Sequence, residues 1–96
     1  MYSIRKTDAN QPAIVESLRQ IPGVKVLILS EVGKGCPDIC VGYKARNYLF
    51  EIKDPEQPKA NKELKPDQKA FFEMWTGQVQ KIESLSEILK AIGITI

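Results

Sequence analysis

The sequence predicts an α/β fold, a mixed sheet with helices packed on its faces. Three observations carry that expectation. Apolar residues recur at helical spacing in three segments, beginning near Pro12, Pro66 and Ser84. Between them lie four short runs rich in β-branched, aliphatic or aromatic residues. The resulting order is α-β-β-β-α-β-α within 96 residues, a length that suits one domain spanning residues 1–96.

Residues 1–7 read as an edge segment or a frayed end. The first helix follows, with Asp8 or Asn10 as its cap and Pro12 in the first turn, where a missing N–H costs nothing. Ile14, Val15 and Leu18 make its apolar stripe, and Pro22-Gly23 stops it. Residues 24–30 (VKVLILS) read as a strand, and the unbroken apolar run implies burial on both faces. Residues 31–35 form a loop freed by Gly33 and Gly35. Residues 38–43 (DICVGY) and 48–53 (YLFEIK) are the arms of a hairpin that turns over residues 44–47. Residues 54–64 hold two prolines and no apolar period, and read as a mobile loop. The second helix starts at Pro66 and ends near Gly77. Its Phe71, Phe72 and Trp75 have the spacing of core residues rather than of a base-stacking surface. Residues 79–82 form a short strand. Ser84 and Glu87 then make a capping box for the third helix. Leu85, Ile88, Leu89 and Ile92 are its buried face, Gly93 ends it, and residues 94–96 read as a last edge strand.

The apolar share of 43% and charged share of 27% are ordinary for a soluble globular protein. No apolar run approaches the ~20 residues of a membrane span, and no signal-like apolar segment opens the chain. The expected location is the cytoplasm, with no membrane partner. Net charge is only +2, yet eight of the fourteen basic residues lie between Lys34 and Lys69, mixed with six acids. The chain has no histidine. That excludes Ser-His-Asp and Cys-His nucleophiles, histidine-metal nucleases and two-histidine zinc sites. Any hydrolysis must run on carboxylates, lysines and a hard metal ion. Cys36 and Cys40, if on one strand, stand ~13 Å apart, too far for a disulfide, and read as reduced thiols in a reducing compartment.

The hairpin register concentrates chemistry. A turn of two or four residues centred on Ala45-Arg46 pairs Tyr43 with Tyr48, Cys40 with Glu51 and Asp38 with Lys53. Asp38, Glu51 and Lys53 then share one face, while Ile39, Val41, Phe50 and Ile52 point into the core. Two neighbouring carboxylates repel and invite a hard cation. Such an ion makes a nucleophile from bound water at neutral pH, and a nearby lysine can orient that water or offset charge on a phosphate. The plainer alternative is a surface pair, Glu51 with Lys53, and a turn residue at Asp38. Spacing alone does not separate the two.

Gly35-Cys36-Pro37-Asp38, twelve intervening residues and Glu51-Ile52-Lys53 resemble the PD-(D/E)XK nuclease signature. The element order is similar to that superfamily's restriction-endonuclease-like αβββαβ core. More closely, the chain resembles stand-alone phage and bacterial VRR-NUC (virus-type replication-repair nuclease) domains over residues 8–90. That likeness rests on Asp8-Ala9-Asn10-Gln11, on Leu49-Phe50-Glu51-Ile52-Lys53-Asp54, and on Leu64-Lys65-Pro66-Asp67-Gln68 with Phe71 and Trp75. One departure is Lys65, where the family often has threonine, a better helix cap.

The resemblance implies a Mg²⁺- or Mn²⁺-dependent endonuclease, a hydrolase of DNA phosphodiesters. Asp38, Glu51 and the backbone carbonyl of Ile52 would bind the metal. Lys53 would position the attacking water or stabilise the pentacovalent phosphate. Gln68 would orient Lys53, water or phosphate. Related nucleases add an acid from the first helix, for which Glu16, Asp8 and Asn10 are the candidates. Lys34, Lys44, Arg46, Lys59, Lys62 and Lys69 are candidate phosphate contacts, giving salt-dependent and sequence-independent affinity. The family's likeness to Holliday-junction resolvases implies a homodimer acting on branched DNA in a bacterial or phage-infected cytoplasm. A non-catalytic nucleic-acid-binding module of the same fold is the alternative, and a protein-protein adaptor a third.

Overall fold

The structure is a computed structural model and describes residues 8–95. The expected edge segment at residues 1–7 lies outside the described residues. Helix α1 (Gln11–Arg19) leads into strands β1 (Lys25–Ile28), β2 (Ile39–Tyr43) and β3 (Arg46–Ile52). A single turn, α2 (Lys59–Lys62), and helix α3 (Pro66–Met74) precede β4 (Gln80–Ile82) and α4 (Leu85–Ile92). The four strands form one mixed sheet in the order β1-β2-β3-β4, antiparallel except for the parallel β3–β4 pair. This is the α/β arrangement expected from the element order.

Period sets the layers. Val26, Ile39, Val41, Phe50, Ile52 and Ile82 line one sheet face and are buried. Ile14, Val15 and Leu18 of α1 and Ile88, Leu89 and Ile92 of α4 join them in one core cluster. Each fully buried aliphatic or aromatic side chain contributes about 1.5–3 kcal/mol against exposure, so this face holds most of the fold's hydrophobic stabilisation. Ser84 caps α4 by accepting from Glu87 N–H, while Glu87 Oε2 accepts from Glu83 N–H at 3.0 Å. Gly93, at φ +89°, closes it, with Ile94 N–H bonded to Leu89 O at 2.8 Å.

Several elements depart from the sequence reading. The hairpin turns through Lys44 and Ala45, at φ 50° and 65°, which is two-residue hairpin geometry without the usual asparagine or glycine. Tyr43 therefore pairs with Arg46 and Val41 with Tyr48, a register two residues from the expected one. Strand β1 is a sheet edge rather than a doubly buried strand, and Leu27 and Ile28 are 65% and 52% exposed. Asn10 does not cap α1 with its side chain, which reaches instead to the sheet. Helix α3 stops at Met74, before Gly77, and Phe71, Phe72 and Trp75 lie outside the core cluster. Residues 54–64, expected to be structureless, contain the α2 turn, and Ile94 and Thr95 are not a strand. Among the described residues no helix is long and apolar enough to cross a membrane.

Candidate active site

The two-residue register difference leaves the convergence of the polar residues intact, because strand side chains alternate with a period of two. Continuing the observed pairing puts Asp38 opposite Glu51 and Pro37 opposite Ile52. Proline has no N–H to offer the Ile52 carbonyl, so that oxygen lacks its usual ladder donor on the Asp38 side. The Ile52 N–H is taken by Asp38 Oδ2 at 2.8 Å. The Pro-Asp pair thus ends the ladder and anchors the aspartate against the neighbouring strand.

Glu51 and Lys53 are 3% and 4% exposed, on the sheet face opposite the apolar core. Their charged ends lie 3.7 Å apart. Gln68, also buried, reaches both from the first turn of α3. Its Nε2 donates to Glu51 Oε2 at 3.1 Å, and its Oε1 accepts from Lys53 Nζ at 3.0 Å. The same Oε1 accepts from Lys65 N–H at 2.9 Å. This is half a capping box, since lysine has no side-chain acceptor to complete it. Asp67 Oδ1 takes the Gln68 N–H instead, at 2.9 Å. The glutamine thus starts the helix and fixes the lysine. Gln68→Ala should lower any catalytic rate by about 10–100-fold, as outer-shell losses do, and lower stability by about 1–3 kcal/mol. Parallel rate and thermal-unfolding measurements check both.

The approach of α3 to the sheet depends on the loop before Asp38. Gly33, Lys34 and Gly35 all adopt positive φ, at 84°, 54° and 79°. A Cβ on Gly35 would sit 2.1 Å from the Asp67 carbonyl oxygen and 2.9 Å from Gln68 N. Only glycine lets this loop press against the start of α3, and that contact brings Asp38 and Gln68 together.

The electrostatics are those of crowded acids. Burial, then the charge of Asp38 and a hydrogen bond with it, push Glu51 up to about 8, with Lys53 opposing. Near neutral pH Glu51 therefore holds a proton, which makes contact between the two acids attractive. Its Oε1 is buried and among the described residues takes no N–H donor, which leaves it to the contact with Asp38. Burial also raises Asp8, against the pull of Lys53 and together with the repulsion of Asp38 and Asp54.

Asp8 accordingly belongs to the group around Lys53, and Asn10 supports it by donating to the Lys53 and Glu83 carbonyls at 3.1 and 3.2 Å. Glu16 does not. It lines a groove of about 640 Å³ between α1 and the β1 edge, with Arg19, Ser30 and Glu31. Lys34 lies in the loop that packs on the start of α3, Lys69 follows Gln68 on α3, and Lys59 and Lys62 lie on α2. Lys62 pairs with Glu83 at 3.9 Å. Lys44 and Arg46 sit at the hairpin tip, five to six residues of extended strand from Asp38, roughly 17–20 Å away. Sequence reasoning gave Asp54 no place in the site. Asp54 is 7% exposed and folds the chain after Lys53 by accepting from Glu56 N–H at 2.9 Å. An acid directly after the strand's Lys53 was the available signal.

The donor set fits a hard cation. Asp38, Glu51 and the Ile52 carbonyl offer oxygen alone, and the crowding that makes Glu51 hold a proton against Asp38 equally favours a cation between them. Among the described residues no group of three or more His, Cys, Asp or Glu side chains could hold a metal ion, so a bound ion needs backbone and water oxygens as well. Neither a family model, nor a curated protein, nor a solved structure matches this chain.

Proposed function

We propose that this chain is a Mg²⁺- or Mn²⁺-dependent endodeoxyribonuclease, as the resemblance to VRR-NUC domains implies. The carrying observation is the buried Glu51–Lys53–Gln68 cluster, with Glu51 crowded against the Asp38 carboxyl. Burying two carboxyl groups and a lysine together is costly, and forcing one acid to hold a proton against the other brings the fold no advantage over an apolar pair of the same size.

Asp38, Glu51 and the Ile52 carbonyl would hold the ion. When bound, it would lower the pKa of a coordinated water and polarise the phosphate. To serve as a ligand, Glu51 would have to lose its proton to solvent. Lys53, fixed by Gln68 Oε1, donates either to the attacking water or to the phosphate oxygen on which charge grows. Asp8 adds negative charge on the same side and raises the site's demand for a cation. Lys34 and Lys69 contact phosphates next to the cut one. A homodimer would present two such sites to the two strands of a branched substrate.

The second reading is a non-catalytic nucleic-acid-binding module, favoured in that no three His, Cys, Asp or Glu side chains among the described residues are grouped as metal ligands. Incubation of labelled four-way-junction, flap and linear DNA with Mg²⁺, Mn²⁺ or EDTA separates them. The nuclease reading expects cleavage in metal alone, with branched substrates cut first. Binding without cleavage in every metal favours the module.

A further inference from the structure

The face of α3 that carries Gln68 continues into two aromatic rings. Phe71 and Trp75 lie three and seven residues beyond it, the spacing that returns a helix to one side. Their rings stack with centroids 5.1 Å apart and planes 19° apart. Neither joins the core, and Trp75 is 41% exposed. The indole N–H is already engaged, donating to the Gln78 carbonyl at 3.2 Å. The Gln78 side chain grips the Leu49 backbone at both N–H and C=O, at 2.6 and 3.2 Å. Gly77 lets the chain close around the indole, since a Cβ there would lie 2.9 Å from Nε1. The ring is thus held in place with π-surface, rather than a donor, left to offer. Holding a large apolar surface rigid and wet is unfavourable unless a partner covers it.

Position and charge point to a nucleobase. Seven residues at ~1.5 Å each put Trp75 about 10 Å along the helix from Gln68, or about three nucleotides at ~3.4 Å per base. The same helix exposes Lys69 beside Gln68, and Lys65 is exposed at its cap. A phosphate chain leaving the Asp38–Glu51–Lys53 site past these lysines brings its bases towards the rings. Bases in a duplex keep their faces covered by neighbours, so a base that stacks on protein must be unpaired.

We propose that Phe71 and Trp75 form a stacking platform for an unpaired base of the DNA substrate, so that the chain selects DNA carrying a single-stranded segment beside the cut. The proposal deepens the nuclease reading and rests on it. Trp75 is the only tryptophan in the sequence, so its emission reports the contact directly. The native protein in EDTA is titrated with single-stranded, flap and fully paired DNA, while labelled DNA reports binding by anisotropy. The expected result is quenching of Trp75 by single-stranded and flap DNA, absent with paired DNA and lost when one abasic position is placed under the ring. Trp75→Ala should weaken binding of unpaired DNA by about 5- to 150-fold, and Trp75→Phe should restore much of it. DNA binding without quenching overturns the platform, even if cleavage in Mg²⁺ upholds the nuclease reading. Quenching without cleavage in any metal upholds the platform and overturns the nuclease. A DNA-independent, concentration-dependent shift in Trp75 emission, with self-association, overturns the platform and makes a second copy the occupant.

Discussion

Replacing Glu51 by glutamine is expected to abolish metal-dependent cleavage while making the metal-free protein more stable in alkaline solution. Glutamine keeps the shape of the protonated acid. Its oxygen can accept from Gln68 Nε2, and its amide can donate to Asp38 where the Glu51 proton now lies. It removes a charge from the ligand set, and the loss of one electrostatic contact at reacting charge costs about 10²–10³ in rate. The stability effect has a definite sign. In the unfolded chain Glu51 ionises near its ordinary value of 4.5, whereas in the folded chain burial and Asp38 hold the proton to about 8. The folded state therefore binds the extra proton between those values. Its contribution is complete below about pH 4.5 and is lost as pH rises through about 8. Unfolding midpoints in EDTA should fall over that window in the wild type and fall less in Glu51→Gln. Metal affinity should rise over the same window, because the ion competes with the proton. A wild-type stability that rises with pH there would show that Glu51 enters the fold ionised.

Gly35→Ala should be the most damaging small substitution in the site. The left-handed backbone costs a non-glycine residue about 1–2 kcal/mol, and the overlap with Asp67 and Gln68 adds about 1–3 kcal/mol. Gly33→Ala is the matched control. Its φ of +84° carries the same backbone penalty, but nothing lies within 4 Å of the added Cβ. At about 4–8 °C per kcal/mol for a domain of this size, Gly35→Ala should melt well below Gly33→Ala. It should also lose any cleavage disproportionately, because α3 withdraws Gln68 from Lys53. Equal melting of the two would mean that the loop and helix do not meet as described.

The face shared by Asp38, Glu51 and Lys53 was legible because it depends on strand parity, not on the exact turn. The turn itself was misread because Lys44 and Ala45 carry no hairpin signature, yet a shift of two residues preserved every facing. The role of Gln68 as an orienter came from resemblance, and the geometry supplies its partners. Other features depend on neighbours that no local pattern encodes. The run at residues 24–30 looks doubly buried, but among the described residues β1 has a strand on one side only, and Leu27 and Ile28 are exposed. The aromatic spacing of α3 looks like a core stripe. The helix is held instead by Gln68 at one end and Gln78 beyond the other, with Phe71 and Phe72 half-buried outside the core and Trp75 exposed. Asp8, Asn10 and Glu16 were indistinguishable as sequence candidates. They separate once the chain before α1 runs beside Lys53 and Glu16 turns to the far groove.

The most direct test of the account is cleavage by the wild type beside Asp38→Ala and Lys53→Ala, with each protein shown to be folded by its cooperative melt. The account predicts that the wild type cuts DNA only with Mg²⁺ or Mn²⁺ and that neither folded variant cuts. Undiminished cleavage by either folded variant, or cleavage by the wild type in EDTA, would contradict it.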